Sequence, residues 1–247
     1  MPALEYLFSP VQKESLARAA LVRTSCRNFS KPLDASDLAM LSYAIGRCAM
    51  PGARLVLMPV DESLFTGTLL GQGRISGCTL VAVVIACGPE PLCRVNAGIL
   101  GEAFVLEATS QGIGTCWLTG SYKRKQLTLP LAEKETVLAI IALGKPEAPL
   151  AAPEERRRRP LDRLCRDTLS GTPLAMAELV RIAPSAANGQ PWSICCPDEH
   201  HMTLTVGEHN LLEGGIALCH AELGISSRHS WRFSSLRGQL IAMCTMS

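Results

Sequence analysis

The chain has 247 residues, of which 47% are hydrophobic and 19% are charged, so it can bury one large core or two small ones. Its net charge of +2 gives no argument for a nucleic-acid partner or a membrane surface. No apolar run approaches the roughly 18–20 residues of a membrane span, and the N-terminus lacks the pattern of a signal peptide. We therefore expect a cytoplasmic protein that binds neither nucleic acid nor membrane.

The eleven cysteines lie mostly within apolar segments. No pair has the C-x-x-C spacing of a metal site. Cys195 and Cys196 are adjacent, which suits neither an ordinary disulfide nor a zinc knuckle. We predict reduced, mostly buried thiols and no metal site.

The first predicted helix covers residues 11–22. Ser9 is its predicted N-cap, Pro10 suits the first helical position, and Gln12 completes a capping box. The helix leads directly into residues 23–27.

Residues 23–27 read R-T-S-C-R. Alternate side chains of an extended segment point the same way, so Arg23, Ser25 and Arg27 can converge on one anion. Two guanidiniums and a hydroxyl suit a phosphate, because arginine makes forked, charge-assisted bonds to phosphate oxygens. An exposed basic turn is the alternative interpretation.

Between residue 28 and the linker described below, the sequence predicts two further helices and three strands. Asp34 or Ser36 caps a helix that ends near Cys48. A second helix is apolar on most sides, as a buried helix should be, and covers residues 96–111. The predicted strands cover residues 55–60, 79–86 and 137–144.

Residues 146–153 are rich in proline and alanine, which predicts a linker. Four consecutive arginines, residues 156–159, follow it. Beyond them, Thr172 and Pro173 are predicted to start a helix. The remaining predicted elements are a helix over residues 211–223 and strands over 193–196, 202–206 and 238–246.

Residues 183–192 read A-P-S-A-A-N-G-Q-P-W and join a helix to a strand. Pro184 disfavours further helix. Ser185 and Asn188 can bond the nearby backbone and tolerate unusual dihedral angles. The pattern predicts a stiff polar loop that presents a hydroxyl, an amide and main-chain N–H groups to a ligand. An ordinary helix-to-strand turn is the alternative.

Together, A-P-S-x-x-N-x-Q-P-W and R-x-S-x-R resemble the two signatures of the nitroreductase family of FMN-dependent oxidoreductases. The motifs lie far apart here, which is similar to a less common branch in which one chain imitates the family's homodimer. The resemblance implies an α+β fold of mixed, mainly antiparallel sheets with helices. It also implies two related halves, residues 1–153 and 154–247, that form an intramolecular pseudo-dimer.

In family homodimers the phosphate motif and the proline–serine–asparagine loop meet across the interface. This chain keeps one motif in each half, while residues 48–54 retain a proline but no serine or asparagine. The resemblance therefore implies one complete FMN site and the loss of a second. The implied FMN-binding residues are Arg23, Thr24, Ser25, Arg27, Arg74, Thr119, Gly120, Arg156, Arg158, Pro184, Ser185 and Asn188. Gln72 is a further possible contact to the flavin ring.

The implied activity is electron transfer from NAD(P)H, through FMN, to nitroaromatic or quinone-like acceptors. No catalytic acid or base is required, and a monomer suffices because the pseudo-dimer is intramolecular. The alternatives are a flavin- or nucleotide-binding protein without turnover, and a related scaffold that has lost FMN.

Overall fold

The computed structural model describes residues 4–66, 74–153 and 156–247. These residues form six α-helices: α1 (Pro10–Val22), α2 (Ala35–Arg47), α3 (Pro91–Ser110), α4 (Leu161–Leu164), α5 (Gly171–Ile182) and α6 (Leu211–Leu223). They also form nine strands: β1 (Phe29–Lys31), β2 (Ala53–Pro59), β3 (Leu80–Ala86), β4 (Gly114–Leu118), β5 (Thr136–Pro146), β6 (Trp192–Asp198), β7 (His201–Gly207), β8 (His229–Leu236) and β9 (Gln239–Met246). The predicted α+β class is confirmed. None of the helices within these ranges is long and apolar enough to cross a bilayer.

The strands form two antiparallel sheets, and each sheet takes its strands from one half of the chain. The first has the order β1-β5-β3-β2, with β4 also paired to β5. The second has the order β6-β7-β9-β8. All strands of the first sheet therefore come before the predicted linker ends, and all strands of the second sheet come after it.

Helices α3 and α6 cross closely, one from each half. A methyl group on Gly98 would clash with the carbonyl oxygen of Leu212, and one on Gly215 would clash with that of Val95. The contacts are reciprocal, as in the isologous interface of a two-fold dimer. Buried residues of both halves join in one hydrophobic core around this crossing.

Local signals in the sequence place the first helices. Ser9 caps α1 in a capping box with Gln12, as predicted, and Asp34 caps α2 in a second one with Asp37. Each capping box satisfies two backbone N–H groups that the first turn leaves free.

Three sequence predictions need correction. Helix α3 begins at Pro91 rather than near residue 96, because proline lacks only an N–H that a first turn leaves unbonded anyway. For the same reason α5 begins at Gly171, with Pro173 inside its first turn. The third correction concerns strands: residues 29–31, 114–118 and 229–236, for which no strand is predicted, form β1, β4 and β8. Strand β8 turns into β9 through Arg237 and Gly238, both at positive φ.

Candidate functional site

A cavity of about 280 Å³ lies between the two halves of the chain, close to the lower limit for small-molecule sites. The first half contributes the segment after α1 and the end of β4. The second half contributes the arginine run, the loop after α5 and the first turns of α6. The lining residues are Arg23, Ser25, Arg27, Trp117, Leu118, Thr119, Ser121, Arg158, Pro184, Ser185, Ala186, Ala187, Asn188, Leu212, Glu213 and Ile216.

The R-T-S-C-R segment leaves the C-terminus of α1 and runs beside β4. Ser25 forms an isolated parallel bridge with Thr115, and the Cys26 N–H donates to the Thr115 carbonyl at 2.9 Å. This pairing keeps the segment extended, and the side chains of Arg23, Ser25 and Arg27 all line the cavity.

Arg158 enters the same cavity from the second half. Its Nη1 donates to the Asn188 Oδ1 at 2.5 Å, and its Nη2 donates to the Ile182 carbonyl at 3.4 Å. Arg156 lies one layer behind, where its guanidinium donates to the carbonyls of Leu21 and Arg23 at 2.7 and 3.2 Å. Arg156 therefore caps carbonyl groups at the C-terminus of α1 and does not line the cavity.

The arginines of the site crowd one another electrostatically. Burial lowers the pKa of Arg23, against attraction from the Glu102 carboxylate. Burial, followed by repulsion from Arg23, lowers the pKa of Arg156 and of Arg158 to about 10 each. A bound anion would relieve this repulsion and favour the charged guanidiniums.

Two donors of the site lack partners. The Nε atoms of Arg23 and Arg158 are buried and make no hydrogen bond to the described residues. A buried donor without an acceptor is costly, so such atoms call for an acceptor from elsewhere. Arginine presents several N–H groups in a fixed fork that matches a phosphate. The unpaired donors and the crowded charges together fit a phosphate-bearing ligand.

The loop after α5 has an unusual backbone. Ala187, Asn188 and Gln190 all adopt positive φ, at 49°, 56° and 45°. Alanine rarely adopts this conformation, and such strain concentrates at functional sites. The Ser185 Oγ accepts from the Gln190 N–H at 2.9 Å and keeps its own proton for another acceptor.

Side-chain amides fasten this loop to the arginine run. Asn188 accepts from Arg158 and donates its Nδ2 proton to the Arg157 carbonyl at 2.9 Å. Gln190 accepts from the Arg159 N–H at 2.8 Å and donates to the Arg181 carbonyl at 2.9 Å. The asparagine and glutamine of the motif thus hold Arg158 at the cavity.

Trp117 forms one wall of the cavity, and a buried carboxylate behind it holds its indole ring in place. Its Nε1 donates to Glu102 at 2.8 Å, and Glu102 pairs with the Nε2 of His220 at 2.9 Å. The Nδ1 of His220 faces the Leu179 carbonyl at 2.9 Å. Glu102 and His220 are fully buried, so they support the wall without reaching a ligand.

The other predicted site residues divide into three groups. Thr119, Pro184, Ser185 and Asn188 line the cavity. Thr24 and Gly120 lie within the lining segments but are not themselves among the lining residues, and Arg74 is exposed outside the cavity. Gln72 falls outside the described residues.

Helix α6 supplies three lining residues that the sequence analysis missed: Leu212, Glu213 and Ile216. Their spacing puts them on one helix face, but only the crossing with α3 turns this face toward the cavity. Glu213 was the sequence signal that could have indicated this face, since it is an acidic residue within an otherwise largely apolar helix.

Comparison with known proteins identifies the family. The sequence model of the family described as "Putative TM nitroreductase" matches residues 15–225. The fold is similar to that of a "putative nitroreductase" from Thermotoga maritima, with 22% identity, a TM-score of 0.62 and coverage of 94% of this chain and 93% of that chain.

A second similar structure is a "putative nitroreductase in complex with FMN" from Desulfovibrio desulfuricans. It has 18% identity and a TM-score of 0.49 over 63% of this chain and 98% of that chain. No curated protein matches the sequence. The family match covers most of the chain, and the chain therefore belongs to this nitroreductase family.

Proposed function

We propose that the protein binds FMN in the cavity between its halves and acts as an oxidoreductase. Electrons would pass from NAD(P)H to nitroaromatic or quinone-like acceptors. The observation that carries the proposal is the group of arginines from both halves that faces one cavity, with two buried Nε donors unpaired. Membership of a nitroreductase family supports the same reaction class.

The FMN phosphate is assigned to the arginine end of the cavity. Arg23, Ser25, Arg27 and Arg158 would bind it, with Thr24 contributing from the same extended segment. Arg156 would act by holding the Arg23 backbone through its bond to that carbonyl. The phosphate would add counter-charge to these guanidiniums.

Lining residues of β4 and of the loop after α5 would enclose the flavin ring. Thr119 and Gly120 would offer main-chain groups to the flavin ring, opposite Pro184, Ser185 and Asn188 of the second half. Bound FMN supplies the hydride chemistry, while the protein binds it, orients it and excludes water.

A flavin titration tests whether the protein binds FMN. Apoprotein titrated with FMN should quench its fluorescence, and the purified holoprotein should be yellow. The loaded protein should then oxidise NAD(P)H with nitrofurazone or menadione as acceptor. Binding without oxidation would favour a flavin-binding protein without turnover, and no binding would favour a scaffold that has lost FMN.

We further propose that the protein is a cytoplasmic monomer. All eleven cysteines are free, and only Cys195 among them is exposed. Reduced thiols suit a reducing compartment. The composite cavity already uses both halves of a single chain, so a second chain is not needed to complete it.

A further inference from the structure

Glu213 is the one acidic residue among the described residues that line the cavity. It lies in the first turn of α6, between the apolar side chains of Leu212 and Ile216 that line the same wall. Its side chain is partly buried. A carboxylate in this position affects any charged molecule that enters the cavity.

No described cation pairs with Glu213. No lysine, arginine or histidine nitrogen of the described residues lies within ion-pair distance of its carboxylate. Burial raises the pKa of Glu213, and only backbone N–H groups, its own and that of Ala186, oppose this rise. Arg23 and Arg158 are instead attracted to the Glu102 carboxylate, behind the Trp117 wall.

The charges of the occupied site follow from the proposed function, on which this inference rests. A phosphate monoester carries about two negative charges at neutral pH, which match the guanidiniums of Arg27 and Arg158. Arg23 has the buried Glu102 carboxylate as its nearby counter-charge. The carboxylate of Glu213 lines the same cavity with no described cation within ion-pair distance.

We propose that Glu213 determines which acceptors the enzyme uses: neutral and cationic aromatic acceptors are admitted, and anionic ones are rejected. The carboxylate repels an anion in a partly desolvated space, where charges interact more strongly than in water. Rejection of one class by an unpaired like charge is a common source of specificity.

The test compares para-nitrobenzamide with para-nitrobenzoate, which have similar shapes and differ in charge. Measurements at about pH 8 favour the ionised carboxylate of Glu213 against the rise in pKa that burial causes. The ratio of kcat/KM should favour the amide by roughly tenfold in the natural protein. Benzamide and benzoate, which are not reduced, should show the same preference when their binding perturbs the absorbance of the FMN-loaded protein.

Glu213→Gln keeps the shape of the side chain and removes its charge. It should bring both ratios close to one, and Glu213→Ala should do the same if the glutamine variant folds poorly. Glu208→Gln is the matched control, because Glu208 is exposed and does not line the cavity. That variant should keep the preference of the natural protein.

Two results would count against these ideas in different ways. If Glu213→Gln binds FMN normally and the ratios do not change, the inference about Glu213 is wrong and the proposed function stands. If the natural protein takes up no FMN, the proposed function fails and the inference fails with it.

Discussion

Arg27 lies at the cavity with few bonds of its own, since its only side-chain hydrogen bond to the described residues goes to the Ser25 carbonyl at 3.3 Å. Its guanidinium is therefore available to an anion. Arg158, in contrast, is already held by Asn188 and the Ile182 carbonyl. Substitution of Arg27 thus tests ligand binding with little disturbance of the fold.

Arg27→Ala should weaken FMN binding by about 1.5–3 kcal/mol, which is the usual range for a hydrogen bond to a charged group. This corresponds to a Kd raised about 10- to 150-fold, measured by fluorescence titration. Arg18→Ala is the control, because Arg18 pairs with Glu14 on the exposed face of α1. If both variants bind FMN with equal affinity, Arg27 does not bind the phosphate.

His229 belongs to a second buried charge cluster, on the far side of α6. Glu222 is fully buried and bonds to Lys13, to His229 at 3.0 Å and to the Trp231 Nε1 at 2.8 Å. Burial disfavours the imidazolium of His229, but the bonds to Glu222 and the Ser227 carbonyl outweigh it, so the pKa is raised. The Lys13 charge opposes this rise.

A raised pKa makes the folded state bind the proton more tightly than the unfolded chain. The stabilisation is complete below about pH 6.5, the unfolded value, and is lost as pH rises through the folded pKa of His229. Thermal melts across this window should show Tm falling with pH, and His229→Gln should flatten the change. His209→Gln, at an exposed histidine, should leave it intact; a similar flattening there would exclude His229 as the source.

At the scale of elements, the crossing of α3 and α6 positions the cavity. It brings the first turns of α6 against the wall formed by Trp117. Gly101 leaves room on α3 for the indole ring, which a methyl group there would strike. The glycines at the crossing therefore connect helix packing to the shape of the site.

Gly98→Ala should destabilise the protein by about 1–3 kcal/mol or more, because the added methyl group meets the Leu212 carbonyl in a tightly packed core. Gly46→Ala, in α2, is the control, since nothing lies within 4 Å of its added methyl group. That change should stabilise the protein by about 0.5–1 kcal/mol. Urea unfolding measures both, and a stable Gly98→Ala variant would disprove the close crossing.

At the scale of the whole molecule, the two halves retain different parts of the site. On the other side of the pseudo-dimer, the loop before β2 packs on the start of α3. Asn96 donates to the Pro51 carbonyl at 2.9 Å, and a methyl group on Gly52 would strike Cys93. We infer from this packing that the chain does not form a second cofactor site.

We expect one FMN per chain. Titration monitored by absorbance should reach its end point at one equivalent, and FMN at about 100 times its Kd should add roughly 2.7 kcal/mol to the free energy of unfolding. The Arg27→Ala variant should need more FMN for the same rise in Tm. An end point at two equivalents would contradict the inferred loss of the second site.

Much of the fold follows from local signals in the sequence. The caps at Ser9 and Asp34 act within one turn, so the starts of α1 and α2 can be predicted from neighbouring residues. The continuous apolar run of β3 and the limits of α6 were likewise predictable. The strand β8 was not, because its exposed and buried residues do not alternate regularly and it depends on pairing with β9.

The sequence by itself determined the family signatures, the cavity arginines Arg23, Arg27 and Arg158, and the serine–asparagine loop, because these motifs are short and their chemistry is local. The tertiary structure decided that Arg156 supports the backbone, that Glu213 joins the lining and that Trp117 is held by buried charges. Those roles depend on how α3 and α6 cross. Helix crossing is set by contacts between residues more than a hundred positions apart, which no local pattern records.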